Sequence, residues 1–340
     1  MTRAQFLLSP HASVTSRPSS EDRKTSWNTL ADALVDTGPH VRGLLPQHQV
    51  GAKSVYPELH VQFEAEQGVY WQYLAPTRPC FTFGLLRDMR RAIDHVVEIG
   101  RESAALNEEF PIRYLVTASR TPAIFNLGGD LLKFVEFIRE GDREALRRYA
   151  HACIAVQYPR GTNMELPFVS ISLVQGDALG GGFEAALADN MIIAERRAKF
   201  GFPEVLFGLF PGMGAYSFLS RRIGATKTEE MIMSGRLYTA AEMAELGVVD
   251  RVVEDGTGEQ AVRDFIRSEE RRALARRALY QIRRRVNPVT EAELLDITNL
   301  WADTAVRLPE IHLKKMERLA RAQERRWSTM NIGHGIAEAD

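Results

Sequence analysis

The passage that most restricts how this chain can fold lies between residues 168 and 188. Residues 168–174, Phe-Val-Ser-Ile-Ser-Leu-Val, read as a buried strand, and Glu184-Ala185-Ala186-Leu187-Ala188 reads as the start of a buried helix. Between them stand Gln175-Gly176-Asp177-Ala178-Leu179 and three consecutive glycines, Gly180, Gly181 and Gly182. A strand that enters a helix through glycines leaves the backbone open to a ligand, with no Cβ in the way. The free amides at such a helix start can stabilise a developing negative charge. A tight turn explains a glycine triplet equally well, so the passage needs company before it carries chemistry.

Company is present. Phe125-Asn126-Leu127-Gly128-Gly129-Asp130 repeats the same character, glycines between an expected strand and an expected helix. Two separated backbone amides aimed at one oxygen form an oxyanion hole, in which losing one donor typically costs about 3–4 kcal/mol of transition-state stabilisation. Two carboxylates complete the set. Glu184 sits just inside the helix after the triplet, and Glu204 follows in the apolar segment Phe200-Gly201-Phe202-Pro203-Glu204. Two carboxylates on one substrate can divide acid and base roles when their environments separate their pKa values. Each taken alone is an ordinary helix-start glutamate; with both glycine sites the catalytic reading gains the upper hand.

Other chemistries find little support. The eight histidines are scattered, with no HExxH pair or Cys/His ligand cluster, so no metal site is expected. G-x-S-x-G, Walker A and G-x-G-x-x-G motifs are missing, which argues against a serine hydrolase or a nucleotide fold. No apolar run approaches the ~18 residues of a membrane span. Phe6-Leu7-Leu8 is cut off by Ser9-Pro10, unlike a secretory signal, and Glu21 and Asp22 count against a targeting peptide. Cys80 and Cys153 fit a reducing, cytoplasmic setting.

The 340 residues carry a formal net charge of −1, which argues against a nucleic-acid partner. That figure conceals a split. Residues 267–326 hold 15 Lys and Arg against nine Asp and Glu, leaving 28 against 35 in the remainder. The sharpest piece runs from Arg271 to Arg285, with seven arginines and no acid. It reads either as a solvated helix face or as a landing site for an acidic protein or a phosphate-bearing ligand.

Along the chain, residues 1–50 are rich in Ser, Thr, Pro and Arg and read as a flexible extension. Residues 61–65 and 69–74 form an expected hairpin about Gln67-Gly68. Further strands are expected at 81–85, 112–116, 191–194 and 248–253, and helices at 86–99, 131–138 and 144–158. From about residue 258 the pattern is almost wholly helical, broken at Asn287-Pro288 and Leu308-Pro309. Strands alternating with helices indicate an α/β architecture.

The three segments Phe125-Asn126-Leu127-Gly128-Gly129-Asp130, Ala178-Leu179-Gly180-Gly181-Gly182-Phe183-Glu184 and Phe200-Gly201-Phe202-Pro203-Glu204 together resemble the signatures of the crotonase (enoyl-CoA hydratase/isomerase) superfamily. Leu209-Phe210-Pro211-Gly212-Met213-Gly214-Ala215 and Leu246-Gly247-Val248-Val249-Asp250 extend the resemblance over roughly residues 60–330. It implies a crotonase fold, a spiral of ββα turns over residues 51–266. A C-terminal helical region at 267–330 would support a homotrimer or dimer of trimers, followed by a tail at 331–340. It also implies an oxyanion hole at Gly129 and Gly181, catalytic carboxylates at Glu184 and Glu204, no metal, and no cofactor beyond a phosphopantetheine thioester substrate.

Within the superfamily, Asn126-Leu127, the run through Tyr216-Ser217-Phe218, Leu294-Leu295-Asp296-Ile297-Thr298 to Trp301, and residues 316–323 look like the diffusible signal factor synthases. That likeness implies dehydration of a 3-hydroxyacyl thioester on acyl carrier protein, followed by hydrolysis to a free cis-2-unsaturated fatty acid. Met213, Trp301 and Leu319 match positions lining the acyl pocket, although apolar residues at helical spacing also serve as plain core. An ordinary enoyl-CoA hydratase acting on a coenzyme A thioester is the second reading. A crotonase-like regulatory module with a signalling-protein partner is the third.

Overall fold

The computed structural model describes residues 56–334; the extension expected at residues 1–50 lies outside them. Strands β1 (Leu59–Glu64) and β2 (Val69–Leu74) form the expected antiparallel hairpin, Leu59 opposite Leu74 and Glu64 opposite Val69. The turn closes at Gly68, whose φ of +63° puts it in the left-handed region. A Cβ there would also lie 2.6 Å from the Pro111 carbonyl oxygen.

Residues 81–85, expected as a strand, instead begin helix α1 (Phe83–Leu106). Thr82 caps it, its hydroxyl oxygen accepting the Leu85 amide hydrogen at 2.9 Å. Leu85, Leu86, Met89, Ala92, Ile93, Val96 and Ile99 then follow helical spacing on its buried side. A short apolar run cannot by itself separate a buried strand from a buried helix start.

From α1 onward the chain repeats one unit. Strand β3 (Tyr114–Ser119) leads to β4 (Ile124–Asn126) and helix α2 (Leu131–Arg139), with α3 (Arg143–Gly161) inserted before the next turn. Gly141, in the left-handed region, and Asp142, which caps α3 through the Ala145 amide, separate the two helices as expected. Strand β5 (Val169–Val174) leads to β6 (Asp177–Leu179) and α4 (Gly181–Ala188). Strand β7 (Met191–Glu195) leads to β8 (Lys199–Gly201), a 3-10 turn at Pro203–Phe207, and α5 (Ala215–Ile223). The first strands of these turns join β1, β2 and β10 (Arg251–Val253) in a six-stranded sheet of order β1-β2-β3-β5-β7-β10. The second strands and β9 (Tyr238–Thr239) build a four-stranded sheet of order β4-β6-β8-β9. This is the expected crotonase architecture.

Helices α6 (Ala225–Ser234) and α7 (Ala240–Glu245) flank β9 (Tyr238–Thr239), and β10 (Arg251–Val253) completes the large sheet. Residues 248–250, expected in that strand, precede it. The helical pattern expected from about residue 258 begins at Gly258. It comprises α8 (Gly258–Glu269), α9 (Ala273–Val286), α10 (Glu291–Ala305) and α11 (Glu310–His334), broken at both expected Pro positions.

Strand alternation divides the core. Trp71, Val116, Ile171 and Ile193 face Val262 and Phe265 of α8 and Tyr280 of α9. Tyr70 and Leu115 point the other way, towards Val96 and Ile99 of α1. Burying each such large apolar side chain contributes about 1.5–3 kcal/mol. Because β4 pairs with β6 and β6 with β8, all in parallel, the segments leaving these strands emerge side by side.

Candidate active site

Those three segments carry Gly129, Gly181 and Glu204. The glycine triplet at the centre is sterically constrained at its two outer positions, Gly180 and Gly182. Gly180 has φ +51°, and a Cβ on it would lie 2.5 Å from Glu204 Oε1. Gly181 is the first residue of α4, and a Cβ there would stand 3.6 Å from the Gly129 amide nitrogen. On Gly182 a Cβ would fall 2.0 Å from the Asn126 carbonyl oxygen. The triplet therefore does more than turn the chain: it lets α4 dock on β4 and brings the two glycine segments together.

The Gly181 amide, at a helix start, has no intrahelical acceptor. Around Gly129 the neighbouring amides are occupied. Leu127 donates to the Pro79 carbonyl at 2.9 Å, Gly128 to Asn126 Oδ1 at 2.8 Å, and Asp130 to the Tyr149 hydroxyl at 3.2 Å. Two amides in adjacent segments are thus left to bind a common oxygen.

Glu184 lies on the first turns of α4 and is 1% exposed. Its Oε1 accepts the amides of Met213 at 2.8 Å and Ala215 at 3.0 Å, which ties residues 213–215 across the helix start. Burial raises its pKa from the ordinary carboxylate range, and the two amide donors oppose that rise. Glu204 sits in the 3-10 turn after Pro203. Its Oε2 is buried with no hydrogen-bond partner among the described residues. Burial raises its pKa as well, and the nearby negative charge of Glu184 raises it further. Glu184, with its amide donors, is the better seat for negative charge, and Glu204 the better seat for a proton.

One cavity gathers every site residue expected from the sequence: Gly129, Gly181, Glu184, Glu204, Met213, Trp301 and Leu319 all line it. With its mouth it encloses about 460 Å³. Phe134, Phe207 and Leu209 add to its apolar wall. The Phe134 and Trp301 rings meet edge-on at 5.0 Å, and Trp301 presses so closely on Gly212 that a Cβ there would lie 2.5 Å from its ring. Phe134, from α2, escaped sequence reasoning, as did Gln323, whose amide reaches the Leu127 carbonyl at 3.4 Å. Both come from helices whose only local signal is ordinary helical spacing. Among the described residues no group of three His, Cys, Asp or Glu side chains is placed to hold a metal ion.

The arginine run does not line this cavity. Arg272 and Arg276 pair with buried Glu269, Arg277 reaches the Pro167 carbonyl, and Arg283 donates to the Asn190 carbonyl at 2.8 Å. Much of the run holds α9 against the body of the protein. Arg271, Arg272, Arg283 and Arg285 stay exposed, as the solvated-face reading expects.

Residues 102–304 match the sequence model of the family described as enoyl-CoA hydratase/isomerase. A stretch of 148 residues is 34% identical to the mitochondrial methylglutaconyl-CoA hydratase 1 of Pyricularia oryzae, covering 44% of this chain and 40% of that protein. The matched segments span between 13% and 40% of the lengths of the curated relatives. The fold is similar to that of an enoyl-CoA hydratase from Bacillus halodurans, with TM-score 0.63, 23% identity, and coverage of 77% of this chain and 99% of that one. It is also similar to Pseudomonas aeruginosa DspI, with TM-score 0.52, 24% identity, and coverage of 81% and 98%. The match over most of the chain, the spiral of ββα turns and the two glutamates facing two glycine segments lead to one conclusion: this chain belongs to the enoyl-CoA hydratase/isomerase family.

Proposed function

We propose that the protein removes water from, or adds it to, the C2–C3 bond of an acyl thioester. The observation that carries this reading is the convergence of buried Glu184 and half-buried Glu204, neither ion-paired among the described residues, with two open glycine amides on one apolar-walled cavity. The thioester oxygen lies between the Gly129 and Gly181 amides. In dehydration one glutamate takes a C2 proton as the carbonyl becomes an enolate, which the amides stabilise. The other donates its proton to the 3-hydroxyl as the C3–O bond breaks and water leaves. Hydration is the same step reversed, and a pair sharing one proton can serve both directions.

The more specific reading is that of a diffusible signal factor synthase, acting on a 3-hydroxyacyl carrier protein and then hydrolysing the cis-2-enoyl thioester. The matching motif residues and the apolar wall that includes Met213, Trp301 and Leu319 support it. Hydrolysis uses the same parts: a glutamate takes a proton from water, the water oxygen attacks the carbonyl, and the thiolate leaves with a proton. An ordinary hydratase acting on a coenzyme A thioester is favoured by the names of the curated relatives. Offering 3-hydroxydodecanoyl carrier protein and crotonyl-coenzyme A separately distinguishes them. Free cis-2-dodecenoic acid from the first supports the synthase; rapid hydration of the second alone supports the hydratase.

A homo-oligomer, a trimer by the family resemblance, is also part of the proposal. Helix α9 turns Tyr280 and several arginines inward and leaves Leu274, Leu279, Ile282 and Val286 exposed, an apolar stripe suited to another copy of the chain. Light scattering on a Leu279→Glu/Ile282→Glu variant tests it: the assembly should lose mass, and an unchanged mass rules this stripe out.

A further inference from the structure

We infer that Tyr149 is a positioning residue that makes the Gly129 amide available to substrate by occupying the amide beside it. The inference rests on the oxyanion-hole reading and extends it to a residue outside the cavity lining. Tyr149 projects from α3 and is completely buried. Its hydroxyl donates to the Phe81 carbonyl at 2.5 Å and accepts the Asp130 amide hydrogen at 3.2 Å.

Those two bonds join the strips that shape the loop. Residues 79–81 run beside 127–129, with Leu127 donating to the Pro79 carbonyl and Phe81 donating to the Gly128 carbonyl at 2.8 Å. Tyr149 closes the far end of that ladder. The result is selective: of the four amides from Leu127 to Asp130, three have acceptors and Gly129 alone remains for a ligand. Phe134 packs edge-on to the Tyr149 ring at 4.9 Å, and Phe83 does so at 5.2 Å, which holds the hydroxyl in place. Phe134 also blocks the space behind Gly129, where a Cβ would approach its ring to 2.5 Å.

Removing the hydroxyl leaves the Asp130 amide and the Phe81 carbonyl without this partner. The loop then gains by turning, either presenting Asp130 to the cavity or withdrawing Gly129. Binding of the acyl chain, which depends on the apolar wall, changes little. Carbonyl polarisation is lost.

The test uses octanoyl-carba(dethia)-coenzyme A carrying a 13C carbonyl; a methylene replaces its thioester sulfur, so it cannot be hydrolysed. Isotope-edited infrared spectroscopy reads the carbonyl frequency in the complex with the full-length protein. The wild type should shift the band to lower frequency. Tyr149→Phe should return it towards its solution value while Kd stays within about threefold, and kcat should fall about tenfold to a hundredfold with KM largely unchanged. Should Tyr149→Phe not fold, 3,5-difluorotyrosine at position 149 keeps the shape and weakens the oxygen as an acceptor, and a partial return is expected. A wild-type shift retained in the variant overturns the role of Tyr149 alone. A bound wild-type complex with no shift overturns the oxyanion-hole reading and this inference together.

Discussion

Helix α4 carries a buried carboxylate at each end, and the two have opposite surroundings. Glu184, on its first turns, receives two backbone amides and faces Glu204 with no cation beside it. Asp189, at its C-terminal cap, is locked to Arg160 at 2.6 Å and to the Ser172 hydroxyl at 2.7 Å, and all three side chains are buried. Arg222 adds a bond to the Asp189 carbonyl at 2.6 Å. One end is arranged so that a proton can come and go. The other ties β5, α3 and α4 together through a fixed charge pair. Burial alone therefore does not mark a carboxylate as a candidate for proton transfer; burial without a neighbouring cation does.

The largest expected effect falls at the cation-free end. Glu184→Gln or Glu204→Gln should lower turnover about a hundredfold to ten-thousandfold, measured with whichever thioester the wild type accepts. The folded structure should survive, as judged by a cooperative melting transition at the assay pH.

At the paired end the effect moves to stability. Arg160→Met leaves Asp189 buried without its cation and should cost about 3–5 kcal/mol in urea unfolding. Activity per folded molecule should stay close to wild type. A large fall in activity with stability intact would erase the contrast between the two ends.

A smaller effect sharpens the comparison through pH. The glutamate pair has raised pKa values, so in the window above the ordinary carboxylate value of about 4.3 the folded protein binds more protons than the unfolded chain. Stability therefore falls as pH rises through that window and levels off once the folded pair has ionised. Glu204→Gln removes the Glu204 share of this loss, while burial keeps the Glu184 pKa raised. Its melting temperature should equal or trail wild type near pH 4.5 and exceed it at pH 9, by about 1–2 kcal/mol in stability. A difference that does not change with pH contradicts the shared-proton picture.

The smallest effect is expected on α9. Arg271 and Arg285 are exposed and take no part in an ion pair among the described residues. Reversing either to Glu should change stability by less than about 0.5 kcal/mol. Reversal of Arg276, which is bonded to buried Glu269, should cost several times more.

What could be read in the sequence follows from how local each constraint is. The glycine sites stand out because Gly180, at φ +51°, and Gly182, whose Cβ would fall 2.0 Å from the Asn126 carbonyl oxygen, answer steric demands that a side chain does not meet. Glu184 and Glu204 were visible through their place beside those glycines. The strand wrongly expected at residues 81–85 looked apolar enough, but the Thr82 cap decided for a helix. Arg160 and Asp189 are separated by 29 positions, and Tyr149 by 68 from Phe81, so only the folded spiral shows that they meet. The inward bonds of the arginine run to Glu269, Pro167 and Asn190 likewise have no signature along the chain.

The central claim is that Glu184 and Glu204 act as one acid–base pair on an acyl thioester held by the Gly129 and Gly181 amides. Running the reaction in deuterium oxide and following the C2 position of the acyl chain by mass spectrometry tests it most directly. The wild type should place one solvent deuteron at C2 for each hydration event, and each Gln variant should lower that rate by at least about a hundredfold. Deuterium entering at the wild-type rate in both variants would show that the pair does not carry the proton and would contradict the account.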